Sequence, residues 1–219
     1  MGKYFIGIMT GTSADALDGC VVSFEDKFEL ISSASITLDG SYKRDYEECI
    51  REGSKNTNES KKLFELENIL NQKTIELINI LLKKANIDIS QVSSAGFSGQ
   101  TVFHTNEKSY QIGNPAYISE LSKIDVYSDF RNFDIKNGGI GAPLIPAFHK
   151  YLYAVEKDRI IFNIGGIANG TYLKKREVAI ASDVGPGNCL LDYVCSKSFD
   201  KPFDDKGAEA AKGEIDNLL

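Results

Sequence analysis

The stretch IGIMTGTSADALDGCVVSF, residues 6–24, decides the fold. An apolar run breaks at Gly11-Thr12-Ser13, passes Asp15 and Asp18, and turns apolar again at Cys20-Val21-Val22. Apolar runs on either side of a glycine-hydroxyl turn predict two strands, and a third follows beyond Glu25-Asp26-Lys27. Residues 4–9, 19–24 and 28–37 are therefore read as an antiparallel meander.

The turn has a chemical use. Glycine admits positive φ and has no Cβ, so consecutive N–H groups can converge on an anion, and the Thr12 and Ser13 hydroxyls add donors beside them. The same pattern recurs after the charged stretch Glu156-Lys157-Asp158-Arg159, which is taken as the domain boundary. There Arg159 to Ile164 reads as a strand, Gly165 to Gly170 as a turn, and Thr171-Tyr172-Leu173 as the strand resumed. The recurrence predicts a duplicated architecture of two lobes, residues 1–156 and 157–219. In it, Gly11-Thr12-Ser13 holds a phosphate or polyphosphate from one side and Gly165-Gly166 from the other. Asp15 and Asp18 would repel phosphate directly and are assigned to positioning Mg²⁺ through water.

A third constellation adds a base. Val178 to Ser182 reads as a strand with Asp183 at its end, and Gly185-Pro186-Gly187-Asn188 leads into an apolar helix through Leu190, Leu191 and Val194. A carboxylate beside a helix N-terminus sets a proton acceptor next to a place suited to anions, the combination that phosphoryl transfer requires.

Between these stretches, Leu63, Leu66, Leu70, Leu77 and Leu81 form a helical stripe preceded by polar Asn56-Thr57-Asn58. Val92 to Phe97 reads as a strand running into Ser98-Gly99-Gln100-Thr101, Pro115 as a helix start, and Asp125 to Asp129 as a strand. Glycine-rich Asn137 to Pro143 precedes a helix through Ala147, Phe148 and Tyr151.

Composition sets the bounds. The chain has 219 residues, 42% of them hydrophobic and 26% charged, which fits a folded globular protein and not a disordered one. A net charge of −6 argues against a nucleic-acid surface. No signal peptide or membrane span is expected, and a cytoplasmic location is. Cys20, Cys49, Cys189 and Cys195 lack any C-x-x-C pair and are read as reduced thiols, with no zinc site. His104 and His149 are expected to be structural.

The ordered segments IGIMTGTSADALDG, SGQTVFH, QIGNP, SDFRNFDIKNGGIGAPLIPAFH, FNIGGIANGTYL and DVGPGNCLLDY resemble the anhydro-N-acetylmuramic acid kinases over nearly the whole chain. The resemblance implies an α/β fold of the actin-like ATPase (ribonuclease H-like) type. It should have a mixed five-stranded sheet with flanking helices, a complete first lobe and a partial second lobe. It also implies that ATP and water convert 1,6-anhydro-N-acetylmuramic acid to N-acetylmuramic acid 6-phosphate in cell-wall recycling, with Mg²⁺ as cofactor. Gly11 to Asp18 would be the first phosphate loop and Asn163-Ile164-Gly165-Gly166 the second. Asp183 would be the general base, and Gln100, Thr101 and Arg131, with Gly185 and Asn188, would bind the sugar. The partners implied are an amino sugar and a nucleotide, with a homodimer or completion by a second chain, since the family's chains run well beyond 219 residues.

Four positions depart from the family pattern: Ser98 where His is usual, Ala16 where Gly is, Val184 where Thr is, and Gly170 where Asn-Leu continues. Ala16 is expected to resist any positive φ needed there. These departures keep a second reading open, a non-catalytic sugar- or phosphate-binding lobe.

Overall fold

The computed structural model describes residues 3–51 and 61–215. Contacts divide the chain into two compact units, Met1–Ala142 and Pro143–Leu219, so the charged stretch 156–159 falls inside the second.

In the first unit the predicted meander forms: β1 (Tyr4–Thr10), β2 (Ala16–Ser23) and β3 (Glu29–Thr37) pair antiparallel in sequence. Two more strands, β4 (Val92–Phe97) and β7 (Val126–Tyr127), add parallel to β1 and to β4, giving the order β3-β2-β1-β4-β7. This is the mixed five-stranded α/β sheet that the sequence led us to expect. The parallel neighbour of β1 needs a crossover, and a long helix, α2 (Lys61–Ala85), supplies it. Its leucines 63, 66, 70, 77 and 81 are all buried and share one core with Ile6, Leu17, Val21, Ala95 and Phe97. Each such side chain taken out of water contributes about 1.5–3 kcal/mol before entropy is counted. The expected lead-in Asn56-Thr57-Asn58 lies outside the described residues.

Four elements were not anticipated: two helices and the two strands of a hairpin. Helix α1 (Gly40–Arg51) buries Tyr42, Tyr46 and Cys49. Beyond β4 the chain forms a hairpin, β5 (Gln100–His104) with β6 (Ser109–Ile112). The strand expected over Asp125 to Asp129 shrinks to β7, and Asp129 instead opens a short helix, α4 (Phe130–Lys136), with φ of 57°. Helix α3 (Pro115–Ser122) starts as read: Pro115 takes the first position, where its missing N–H costs nothing, and the Asn114 side chain accepts from Tyr117 N.

In the second unit, β8 (Arg159–Ile164), β9 (Ile167–Lys174) and β10 (Glu177–Pro186) form an antiparallel sheet in the order β10-β9-β8. Helix α5 (Pro146–Tyr153) packs on β9 and β10, with His149 buried and its Nδ1 2.9 Å from Thr171 Oγ1. Helix α6 (Cys189–Phe199) follows β10. Two expectations are corrected by the pairing. The second turn is only Gly165-Gly166, because β9 already begins at Ile167 and runs unbroken through Gly170. Asp183 does not end a strand but sits inside β10, whose pairing with β9 continues to Pro186 across a bulge.

All four cysteines are free. Among the described residues no helix is long and apolar enough to cross a membrane.

Candidate functional site

In the first unit, the loop between β1 and β2 is held by its own bonds. Ala14 N donates to Gly11 O at 3.2 Å and Ser13 Oγ donates to Asp15 Oδ1 at 2.5 Å. The positive φ that this turn requires falls on fully buried Ala14, at 48°, and Ala16 is ordinary strand. The concern over Ala16 is thereby removed. Thr12, Ser13 and Asp15 are exposed, and Asp18 is an exposed position of β2 paired with Met9 and Ser35.

Gln100 is fully buried behind this turn. Its Nε2 donates to Gly11 O at 2.9 Å, and its Oε1 accepts from Thr10 Oγ1 at 2.9 Å. The side chain expected to face a sugar thus bonds the Gly11 carbonyl and the Thr10 hydroxyl. The carbonyl of neighbouring Thr101 accepts from Tyr46 Oη at 2.6 Å, and burial pushes the Tyr46 phenol up from its ordinary range, partly offset by a hydrogen bond to Gln100.

Arg131, on α4, donates from Nη1 to Gly141 O at 3.0 Å. Gly141 N in turn donates to Asp134 Oδ2 at 2.8 Å, so the glycine-rich loop folds back onto α4. Asn132 ties the same helix to β6: it accepts from Ser109 N and donates to Ser109 O, both at 2.9 Å, and donates to Asp129 Oδ1 at 2.6 Å. A cavity of about 290 Å³ opens beside this knot, lined among others by Ser98, Gly99, Ser109, Gln111, Asp129 and Asn132. The sequence reading named none of these six as sugar ligands, although SGQT, QIGNP and SDFRNF carry five of them. Ser109 lies outside those segments, and its place follows only from the hairpin.

In the second unit, all the residues singled out converge on one end of the sheet. Asn163 of β8 pairs with Asn169 of β9, and Asn169 pairs on its other side with Asp183 of β10. Directly opposed residues on one sheet face bring their Cβ atoms to roughly 5 Å, so the three form a polar row. Asn169, absent from the expected set, is its middle member. The adjoining Gly165-Gly166 turn is stitched to the start of α6: Gly187 N donates to Gly166 O at 2.9 Å and Asn188 N to Gly165 O at 2.8 Å. Gly187 has to be glycine, since a Cβ there would lie 2.1 Å from Gly165 O. The Asn188 side chain makes no cap bond, and Val184 is the extra residue of the bulge between Asp183 and Gly185. Such an end, with two glycine-built turns and a helix start beside a carboxylate, can hold an anion and accept a proton.

A family model described as anhydro-N-acetylmuramic acid kinase matches residues 3–219. An anhydro-N-acetylmuramic acid kinase from Shewanella pealeana is 40% identical over 224 residues, covering 99% of this chain and 60% of the relative. One from Bordetella pertussis is 36% identical over 217 residues, covering 98% of this chain and 57% of the relative. The chain therefore spans about three fifths of the length of the curated relatives it matches. A crystal structure of the Aquifex aeolicus Ppx/GppA phosphatase overlaps with a TM-score of 0.49 at 9% identity, covering 94% of this chain and 60% of that one, too remote to carry any argument.

Proposed function

The chain belongs to the anhydro-N-acetylmuramic acid kinase family, and from that premise we propose that it carries the phosphate- and water-handling part of an ATP-dependent sugar kinase. The substrate is 1,6-anhydro-N-acetylmuramic acid, the product N-acetylmuramic acid 6-phosphate, and the setting cytoplasmic cell-wall recycling. The observation supporting this most is the row Asn163, Asn169, Asp183 beside the stitched Gly165-Gly166 turn.

Asp183 accepts a proton from the water whose oxygen bonds to the anomeric carbon. The anhydro bridge then breaks at that carbon, and the freed oxygen takes the γ-phosphoryl group as ADP leaves. Asn169, opposed to Asp183, positions the carboxylate. The turns Gly11-Thr12-Ser13 and Gly165-Gly166 bind phosphate oxygens through backbone N–H groups and hydroxyls. Gln100 positions the first turn from behind, by the bonds to Gly11 and Thr10. Thr101, Arg131, Gly185 and Asn188 remain the sugar-side residues, and Ser98, which lines the first unit's cavity, joins them. When bound, Mg²⁺ supplies charge neutralisation on the polyphosphate. Asp15 and Asp18 fit it as exposed carboxylates acting through its water shell, and the described residues contain no cluster of three or more His, Cys, Asp or Glu that would cage it directly.

ADP release by the 219-residue chain with ATP, Mg²⁺ and the anhydro sugar, beside Asp183→Asn and a no-sugar control, tests the reading. Sugar-dependent release lost in Asp183→Asn is expected. No release from a folded sample overturns catalysis by this chain alone and leaves the second reading, a sugar- or phosphate-binding lobe that works as a homodimer or with a second chain. That reading is favoured by exposed Val184 beside Asp183.

A further inference from the structure

Helix α2 buries a leucine stripe, and two polar side chains interrupt it. Asn71 is 3% exposed, and Glu67, four residues before it and so on the same helix face, is half-buried. Burying an amide beside leucines costs stability unless hydrogen bonds replace the lost water. Here both side chains accept from consecutive backbone groups of the loop between β6 and α3. Gly113 N donates to Glu67 Oε1 at 2.9 Å, and Asn114 N donates to Asn71 Oδ1 at 2.8 Å.

The loop so held is closely fitted. Gly113 has φ of 128°, and a Cβ there would lie 2.5 Å from Phe97 Cε1. Ile112, just before it, pairs with Gln100, and its carbonyl oxygen would lie 2.8 Å from a Cβ on Gly99. In a trans peptide the C=O points opposite to the N–H, so fixing Asn114 N on α2 turns the Gly113 carbonyl away from that helix.

Any two acceptors could satisfy two stranded N–H groups, but the place of this loop gives the pair a further use. Gln111, Ile112, Gly113 and Pro115 line the cavity of about 290 Å³, whereas Glu67 and Asn71 do not. The lining includes no Lys, Arg or His, and its one charged residue is Asp129. Such a lining suits uncharged hydroxyl and acylamino groups and not a phosphate. Glu67 also acts on the cavity-lining Tyr110, where burial first and the Glu67 charge second push the phenol up from its ordinary range.

We propose that Glu67 and Asn71 are positioning residues for sugar recognition: from α2 they hold residues 111–115 in the shape that receives the uncharged hydroxyl and acylamino groups of the anhydro sugar, without touching it. The inference rests on the sugar-kinase reading above and adds to it two residues on a helix otherwise given to the core.

The test titrates the full 219-residue chain with 1,6-anhydro-N-acetylmuramic acid by calorimetry, as wild type, Glu67→Leu, Asn71→Leu and Glu67→Gln, with thermal unfolding followed beside each. Leucine keeps the bulk and removes the acceptor, whereas glutamine keeps an oxygen where Oε1 stands. Each leucine variant is expected to bind the sugar more weakly by about tenfold or more, with Glu67→Gln within about twofold of the wild type. A purely structural pair would lower the unfolding midpoint and leave the affinity of the folded protein unchanged, and that outcome overturns the proposal. So does a Glu67→Gln variant as weak as Glu67→Leu, which would put the effect on charge and not on the hydrogen bond. If a leucine variant does not fold, amide exchange of the wild type decides. The sugar is expected to slow exchange over 111–114, and sugar binding that leaves these amides unchanged overturns the proposal. In each of those cases the wild type still binds the sugar, so the sugar-kinase reading stands. A folded wild type that does not bind the sugar overturns both.

Discussion

Gln100 Nε2 donates to the carbonyl of Gly11 across a separation of 89 residues, joining the start of β5 to the turn that follows β1. With Oε1 accepting from Thr10, both ends of one buried amide hold the phosphate-type turn in shape. Replacing Gln100 by Leu keeps the bulk and leaves the Gly11 carbonyl and the Thr10 hydroxyl without it. A buried polar group stripped of its partner costs about 1–3 kcal/mol, so Gln100→Leu should lower first-unit stability by about 2 kcal/mol or more. Urea unfolding followed by far-UV circular dichroism checks this, and an unchanged midpoint would show that the clamp is dispensable.

The corresponding fastening in the second unit is Gly187. Because a Cβ there meets the Gly165 carbonyl oxygen at 2.1 Å, Gly187→Ala has to break the stitch between the Gly165-Gly166 turn and α6. We expect weakened ATP binding, by tenfold or more in titration calorimetry, while Gly213→Ala, remote from this turn in sequence, serves as control. Equal affinities for the two variants would remove this turn from the anion site.

How much of this was legible in the sequence depends on which residues carry the burial. The β1–β3 meander and the α2 stripe are written in aliphatic residues and were read directly. Helix α1 hides its core face in Tyr42, Tyr46 and Cys49 among charged neighbours, so its apolar stripe is faint. The β5–β6 hairpin buries Gln100 and Ser109 beside Val102 and Ile112, and polar residues that are buried by hydrogen bonding leave no hydrophobic period. For the candidate site, the turns and Asp183 announced themselves through glycines and a carboxylate. Asn169 and Asn132 did not, because their significance lies in partners on other strands: Asp183 for the first, Ser109 for the second.

Gly19 and Gly170 occupy matching positions, opposite Ile8 of β1 and Phe162 of β8, and should respond oppositely to the same change. At Gly19, Ala intrudes on Leu77 and Leu81, which are fully buried and have little room to yield, at a cost of about 1–3 kcal/mol. At Gly170 the added methyl finds ordinary contact with Phe162 at 3.4 Å and relieves glycine's backbone entropy. Gly170→Ala is therefore expected to be neutral or to stabilise by about 0.5 kcal/mol. Thermal unfolding of the two variants side by side reads the contrast, and comparable losses at both would mean that Gly170 is already packed upon.

His149 gives the second unit a pH dependence of definite sign. Desolvation by burial lowers its pKa from the ordinary imidazole range, and the ring faces Thr171 at 2.9 Å and the Tyr153 ring at 6.2 Å between centroids. In the unfolded chain the imidazole protonates near about pH 6.5, before the folded one does. The unfolded state thus binds more protons as pH falls through that value, and stability has to fall with it. Its contribution is complete above about pH 6.5 and is lost as the pH drops toward the lower folded value. Between about pH 7 and 5.5 ordinary carboxylates stay ionised, so the window belongs to the histidines. The urea midpoint of the wild-type second unit should decrease across it, and His149→Gln, which keeps a polar group near Thr171, should flatten the curve. A wild-type midpoint that is level or rises toward pH 5.5 would contradict a buried neutral imidazole at this position.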